Sequence, residues 1–315
     1  MATFQNGARY VAVVKDGAGV GRANLCSART SVLGTMQALI PTEMVLPEYL
    51  LHLIRAMRLG DGFSGSTIPH IYFKDYGQRL VRYVSMADQE RIVGMLGSIE
   101  DQIDILNQRN ERLDTLVKSR FVEMFGGSGW PVATVGSLAT DIRYGTSKKA
   151  SDCGQFVYLR MNNMTDGGGL DFGDVKHIDL SGAELEKCQV VDGDLLFNRT
   201  NSREKVGKTA VFHAKEPMVI AGYIIRVRLG DRIKPDFLAA YMNLPTTKAM
   251  LRSIARGAVH QANINSRELS AIEVPVPPIC LQDSFLSFVA EVDKSRFNLL
   301  KAYGSIIALF RVLFP

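Results

Sequence analysis

The chain repeats itself, and this limits its possible folds more than any other feature. VGRANLC (20–26) returns as VGKTAVF (206–212), and LPEYLLHL (46–53) returns as KPDFLAAY (234–241). Further on, Ile71, Val81 and Gln89 are matched by Ile264, Val274 and Gln282. The order is kept while the offset grows from 186 through 188 to 193, as in a duplicated module whose second copy has gained residues in its loops. Each match alone says little; the ordered series carries the inference.

A helical segment follows each copy. Ile92, Leu96, Ile99, Ile103, Leu106, Asn110, Leu113 and Val117 alternate spacings of four and three, the heptad seam of a coiled coil. The same positions in the second copy are Phe285, Val289, Val292, Arg296, Leu299, Tyr303, Ile306 and Phe310. Two helices with matching seams in one chain most simply bury those seams against each other. The first, from about Met86 to Phe125, would be about 60 Å long at 1.5 Å per residue. Asn110 and Arg296 interrupt the seams. A polar residue there either fixes register and partner or snorkels at the helix surface.

The block between the helices begins near Gly126, where GGSGWPV reads as a helix stop and linker, with Trp130 as a first core anchor. FVYLRM (156–161), KHIDL (176–180), CQVV (188–191), DLLF (194–197), TAVF (209–212) and YIIRVRL (223–229) predict strands, punctuated by Gly and Asp clusters. Asp236 to Arg256 predicts a helix that buries Phe237, Tyr241, Leu244 and Leu251. GAVHQANINSREL (257–269) predicts a polar turn, and AIEVPVPP (271–278) a strand that its prolines confine to an edge. The chain thus divides into a partial first module (1–85), a long helix (86–125), a second module (126–280) and a second helix (281–315).

Composition is that of a globular protein, 46% hydrophobic and 22% charged, with no apolar stretch long enough to span a bilayer and no secretion signal at the start. Cys26, Cys153, Cys188 and Cys280 lie far apart and form no CxxC pair, which argues against zinc and for a reducing cytoplasm. The net charge of +5 is unevenly spread. Residues 151–194 hold three Lys/Arg against nine Asp/Glu, and residues 195–256 hold twelve against four. The basic stretch begins in LLFNRTNSREKVGKTAV (195–211), an apolar run broken by a basic, Asn-rich turn. VGKT (206–209) lacks the first glycine of a phosphate-binding loop, because Ser202 stands there. FGGSG (125–129) follows a helix rather than a strand, so it reads as a helix stop and not as a turn that accepts S-adenosylmethionine. No (N/D)PP(Y/F), HExxH or GxSxG motif occurs, and the five histidines are scattered.

Set side by side, the duplication, the helices and the loops resemble the specificity subunit of type I restriction-modification enzymes. The resemblance rests on YGTSKK (144–149), DGDLLFNRTNSREKVGKTAVF (192–212) and GAVHQANINSRELSAIEVPVPPICLQ (257–282). It extends to GSTIPHIYFKDYGQRLVRYVSMADQ (65–89) and KSRFVEMFG (118–126), so it covers nearly the whole chain. The second copy matches better; in the first, the usual Ile/Leu-x-x-Pro-Pro ending has become RLVRYVS. The resemblance implies an α+β protein in which duplicated α/β target recognition domains are separated by long helices that pair as an antiparallel coiled coil. It implies that each domain reads one half of a bipartite site in double-stranded DNA. The helices would set the spacing and dock methylase subunits, and through them a restriction (motor) subunit. S-adenosylmethionine, ATP and Mg would belong to those partners and none to this chain. It would catalyse nothing itself, within a complex that methylates adenine at N6 and cuts DNA.

On that resemblance, a loop leaving its strand presents Asn198, Arg199, Asn201, Ser202 and Arg203 to DNA. Arg suits bidentate contact with guanine and Asn with adenine, while Lys205 and Lys208 meet phosphates. Arg143, Tyr144, Lys148 and Lys149 would act from an earlier loop, and Gln261 and Asn263 from a later one. The plainer reading is that the Asn and Ser residues cap the turn and the basic side chains are merely solvated. One departure stands out. Trp130 lies far upstream of Val206, but only nineteen residues precede Val20, so the first copy lacks much of its upstream part, including any counterpart of Trp130 and YGTS (144–147). A half-length subunit would recover two readers by pairing with a second copy. Two readings from other classes are a coiled-coil adaptor that binds no DNA and the recognition portion of a fused methylase-nuclease.

Overall fold

The computed structural model describes residues 7–65, 67–127, 129–258 and 261–313, with the side chains of the last helix described as far as Phe297 and at Lys301. The chain forms two compact units that divide between Leu106 and Asn107.

In the first unit β1 (Tyr10–Val14), β2 (Ala23–Cys26) and β3 (Met36–Leu39) form an antiparallel sheet in the order β2-β1-β3. Tyr10 to Val13 is a continuous apolar run, fully buried, as befits a central strand covered on both faces. α1 (Pro47–Ala56) opens on a proline, whose missing N–H is no loss in a first turn, and buries Leu51 and Ile54. α2 (Phe73–Tyr76) brings Tyr76 to the same core. The repeated Val-Gly pair has a backbone cause. Gly21 sits at φ +83°, and a Cβ there would lie 2.2 Å from the Gly60 nitrogen. Its counterpart Gly207 has φ +82°. α3 (Met86–Phe125) is one unbroken helix with the predicted bounds.

The second unit opens with β4 (Val132–Thr134), α4 (Val135–Leu138) and β5 (Ala139–Tyr144), then β6 (Phe156–Leu159), β7 (Lys176–Ile178), α5 (Gly182–Cys188) and β8 (Gln189–Val190). Next come β9 (Leu195–Asn198), β10 (Thr200–Asn201), β11 (Thr209–Val211), β12 (Met218–Ile220) and β13 (Ile224–Leu229). The unit closes with α6 (Pro235–Met242), α7 (Pro245–Ile254), β14 (Arg256–Ala258), β15 (Gln261–Asn263), α8 (Ser266–Ser270), β16 (Glu273–Pro275) and α9 (Ile279–Leu313).

One four-stranded sheet runs β11-β9-β13-β5, fully antiparallel, and a second runs β7-β6-β12-β8 with β12 parallel to β6. The alternation along β9 explains their packing: Leu195 and Phe197 enter one core, which the helices complete, and Leu196 enters the other. Arg226 of β13 is also buried, with its guanidinium held by Asp141 Oδ2 at 2.6 Å and the Gln189 carbonyl.

The predicted strands form, but three expectations need correction. The helix expected from Asp236 to Arg256 is two helices, α6 and α7, because Pro245 cannot donate to a continuing ladder and starts a new first turn. The stretch 257–269 is no simple turn. It holds most of the β14–β15 hairpin and then α8, which Asn265 and Glu268 open with reciprocal side-chain-to-backbone hydrogen bonds. Arg143 and Tyr144 lie in strand β5 rather than in a loop.

Within the second unit the end of α3 and the start of α9 run antiparallel. Phe121 meets Phe285 edge to face with centroids 5.2 Å apart, and Val117 and Val289 pack on the same core. Further along, Arg296 pairs with Asp114 and lies 3.6 Å from Asp293. Arg296 is therefore a paired charge across the helices, whereas Asn110 is exposed. The side chains of Leu299, Tyr303, Ile306 and Phe310 lie outside the described residues.

The duplication is visible in the backbone. The order β2-β1-β3 corresponds to β11-β9-β13. Lys15 N–H donates to the Thr35 carbonyl as Arg199 N–H does to Tyr223, and Ile71 N–H donates to Lys15 as Ile264 N–H does to Arg199.

Candidate nucleic-acid interface

In the second unit four backbone segments are laced together at one end of the β9–β13 sheet. Gly222 N–H donates to the Thr146 carbonyl at 2.7 Å, which ties the loop after β5 to the turn before β13. Arg199 N–H donates to Tyr223 at 2.9 Å and its carbonyl accepts from Ile264 N–H at 2.9 Å, which adds the loop after β9 and the segment after β15. β10 pairs with β15 through Thr200↔Asn263 and Asn201↔Ala262. The result is a ridge of loop and hairpin backbone on a rigid sheet, a common setting for binding residues.

The side chains expected to read DNA fall into two groups. In the first, the polar atoms are used within the protein. Asn198 is fully buried; its amide donates to the Thr200 and Tyr223 carbonyls, each at 3.2 Å, and its oxygen accepts from Asn201 Nδ2 at 2.8 Å. Asn198 continues the buried run of β9, so it cannot reach a base. Asn201 Oδ1 accepts from Ser202 N–H, and the Ser202 carbonyl accepts from the N–H groups of Lys205 and Val206. These two residues shape the turn.

Arg199 lies 4.8 Å from the Tyr144 ring centre, a cation–π contact, and Tyr144 in turn donates to Ser266 Oγ at 2.8 Å. Arg203 donates to three carbonyls, of Arg252 (3.1 Å), Ala255 (3.3 Å) and Gly257 (3.1 Å), so it closes the C-terminal end of α7. Asn263 accepts from Thr200 Oγ1 at 3.0 Å. Lys208 is mostly buried, with its ammonium donating to the Met164 carbonyl at 3.0 Å and pairing with Asp166 at 2.6 Å. The hydrogen bond that Lys208 donates to the Asp166 carboxyl, with the charge of its ammonium, holds that carboxyl below its usual range.

In the second group the side chains face solvent. Lys149, Lys205 and Gln261 are exposed. Arg143 is exposed beside Asp141 (2.8 Å), and Lys148 is exposed and paired with Glu184 at 2.5 Å. Hydrogen bonds from Lys148 and Thr146 lower the Glu184 pKa.

Sequence reading missed Tyr223 and Arg256. Tyr223 is 51% exposed in the turn between β12 and β13, next in sequence to Gly222, whose carbonyl accepts from the Arg199 guanidinium at 3.4 Å. It was hidden in the strand-like run YIIRVRL. Arg256 is exposed on β14, with Nε 2.6 Å from Glu268. Arg143, Lys148, Lys149, Lys205, Tyr223 and Arg256 are thus exposed, with Arg143, Lys148 and Arg256 each paired to an acid, whereas Asn198, Arg199, Arg203 and Lys208 are held within the fold. Among the described residues no group of His, Cys, Asp and Glu is arranged to hold a metal ion, and no helix is long and apolar enough to cross a membrane.

No family model matches the chain. It is 26% identical over 168 residues to the putative type I restriction enzyme MjaX specificity subunit of Methanocaldococcus jannaschii, covering 52% of this chain and 39% of that protein. It is 21% identical over 264 residues to the type I restriction enzyme EcoKI specificity subunit of Escherichia coli K12, covering 76% of this chain and 57% of that one. The chain therefore spans about half the length of the curated relatives it matches. Among solved structures it superposes on a chain of a type I R-M system with a TM-score of 0.54 at 16% identity, covering 98% of this chain and 80% of that one. It superposes on the type I S subunit of M. genitalium with a TM-score of 0.50 at 15% identity, covering 98% and 83%. In sequence the chain is similar to specificity subunits of type I restriction enzymes, and it shares the fold of solved type I restriction-modification chains.

Proposed function

We propose that this chain is the non-catalytic DNA-reading component of a type I restriction-modification complex in the cytoplasm. The observation that carries this reading is the ridge of the second unit, where four backbone segments are linked by hydrogen bonds and the segments and turns that form it expose Lys148, Lys149, Lys205, Tyr223, Arg256 and Gln261. Phosphate contacts by the cations would set the position on the duplex. Gln261, Arg143 and Arg256 would then meet base edges in the major groove. The first unit, built on the same β2-β1-β3 plan, would read the other half of a bipartite site. The antiparallel pairing of α3 with α9 supports a spacer role and a dock for methylase subunits, and through them for a restriction subunit. S-adenosylmethionine, ATP and Mg would serve on those partners.

The test is selection from a random duplex pool by the purified chain together with its methylase subunits. A two-part motif with a fixed gap is expected. Recovery of sequences with no common element would refute the proposal.

A further inference from the structure

Positive charge in the second unit continues beyond the ridge. Arg203, in the turn between β10 and β11, donates to the carbonyls of Arg252, Ala255 and Gly257, which joins that turn to the end of α7 and to β14. In the same turn the Gly207 carbonyl accepts from the Lys248 ammonium at 2.5 Å, so the middle of α7 is joined to it as well. Arg252 stands four residues after Lys248, on the same face of α7. Lys208 reaches from the turn to the loop between β6 and β7, where the Met164 carbonyl and Asp166 hold its ammonium. Lys118 of α3 borders that loop too, since it lines one cavity with Gly167 and Gly168.

The charges in this cluster do not balance. Asp166 is paired with Lys208, whereas among the described residues none of Lys118, Lys205, Lys248 and Arg252 is paired with an acid. Lys118, Lys205 and Arg252 are exposed, and Lys248 is partly buried. Burial, with the charges of Lys208, Arg252 and Lys118, lowers the Lys248 pKa to about 8, and Asp166 is the acid set against them. Such an ammonium weakens the fold, and an anion brought to it from outside would relieve the repulsion. Groups kept at a cost to stability commonly serve binding.

We propose that Lys118, Lys205, Lys248 and Arg252 form a second phosphate-binding face, which takes the sugar–phosphate backbone of duplex DNA beside the half-site that the ridge meets. Lys205 belongs to both, so the face is continuous with the ridge. Cations drawn from α3, α7 and the β10–β11 turn call for several phosphates in series, and a duplex offers one for about every 3.4 Å of each strand. These contacts would hold the flanking DNA without reading its bases. The inference rests on the reading of the ridge as a DNA-contacting surface and extends it to the helices.

The test titrates the full chain, with its methylase subunits, against two duplexes. One holds only the selected motif, and the other extends it at each end by about ten base pairs, one helical turn. The wild type should bind the longer duplex more tightly and with a steeper salt dependence. Lys118→Gln/Lys248→Met/Arg252→Gln should weaken binding of the longer duplex about tenfold or more and lower its salt slope by about 2–3, at about 0.9 for each phosphate contact. The selected motif and the affinity for the short duplex should not change. Lys118→Gln and Arg252→Gln, each at an exposed position, should alone lower the slope by about 1, which separates binding from any effect of the Lys248 site on folding. Lys215→Gln/Lys294→Gln, at exposed cations outside the cluster, should leave the slope unchanged. The proposal is overturned if the extension adds no affinity, if the cluster variants bind both duplexes as the wild type does, if they weaken both alike, or if the outlying pair is as damaging. In each of those cases motif selection by the ridge still stands. A wild type that binds neither duplex would overturn that reading, and this inference with it.

Discussion

The side-chain oxygen of Gln282, in the first turn of α9, accepts the backbone N–H of Lys234 at 2.8 Å, just before α6 begins. Its amide donates to the carbonyls of Arg232 (3.2 Å) and Pro277 (2.8 Å). Gln89 does the same in the first unit, accepting from Leu46 N–H at 2.9 Å and donating to Met44 (2.9 Å) and Val84 (3.1 Å). Both glutamines are fully buried. Each therefore pins the start of a long helix to the start of a short one inside its own module.

Gln282→Ala would leave one N–H and two carbonyls short of a partner. At about 1–3 kcal/mol for each buried unsatisfied group, with some relief from water, a loss of about 2–4 kcal/mol is expected. The single tryptophan, Trp130, packs on Phe125 in the second unit and reports its unfolding. Urea titration should show the Trp130 transition shifted by Gln282→Ala and unmoved by Gln89→Ala, which should instead shift the remaining circular-dichroism transition.

Arg203 should act on the fold first and on DNA second. Arg203→Ala leaves the end of α7 and the adjoining hairpin without three donated hydrogen bonds, for an expected loss of about 1–2 kcal/mol. Arg203→Lys should not restore it, because one ammonium cannot span the carbonyls that two guanidinium nitrogens reach. Thermal unfolding of the three proteins side by side checks this. Full rescue by lysine would contradict it.

Lys248 gives a pH-dependent prediction. Burial, together with the nearby charges of Lys208 and Arg252, lowers its pKa from 10.5 to about 8. Between about pH 8 and 10.5 the unfolded chain then binds more protons at this site than the folded one, so this group's contribution to stability rises with pH. Its cost is fully present below pH 8. Lys248→Met should therefore stabilise the protein at pH 7 by about 1–3 kcal/mol, with the advantage fading toward pH 10. The Gly207 carbonyl, which accepts from the Lys248 ammonium at 2.5 Å, would keep a donor in that variant, since Thr209 Oγ1 also reaches it, at 3.1 Å. Denaturation of both proteins across pH 7–10 is the check, and a gap that does not narrow would contradict it.

How much was legible in the sequence differs between the frame and the ridge. The duplication could be read because its anchors are tied to local chemistry: a left-handed glycine at 21 and 207, a proline that opens a helix at 47 and 235, and a pinning glutamine at 89 and 282. The long helix could be read from its seam. The ridge could be located but not sorted. Asn198 looks like the first loop residue, yet it is the last buried residue of β9, because the carbonyls of Thr200 and Tyr223 and the side chain of Asn201 close around its amide. Lys208 looks like a phosphate contact until the distant segment around Met164 and Asp166 closes over it. Tyr223 was concealed for the opposite reason: an aromatic beside β-branched residues fits a strand, and only the β12–β13 turn exposes it. Each of these is decided by contacts far apart in the chain, which local patterns do not record.

The most direct test is the salt dependence of binding to a selected duplex by the wild-type chain and by Lys148→Ala/Lys149→Ala/Lys205→Ala. Each phosphate contact contributes about 0.9 to the slope of log affinity against log salt, so the triple variant should lower the slope by about 2–3 and retain the selected sequence. Gln261→Ala should relax one base position and leave the slope unchanged. A wild-type affinity indifferent to salt, or a triple variant that binds as the wild type does, would contradict DNA recognition by this ridge.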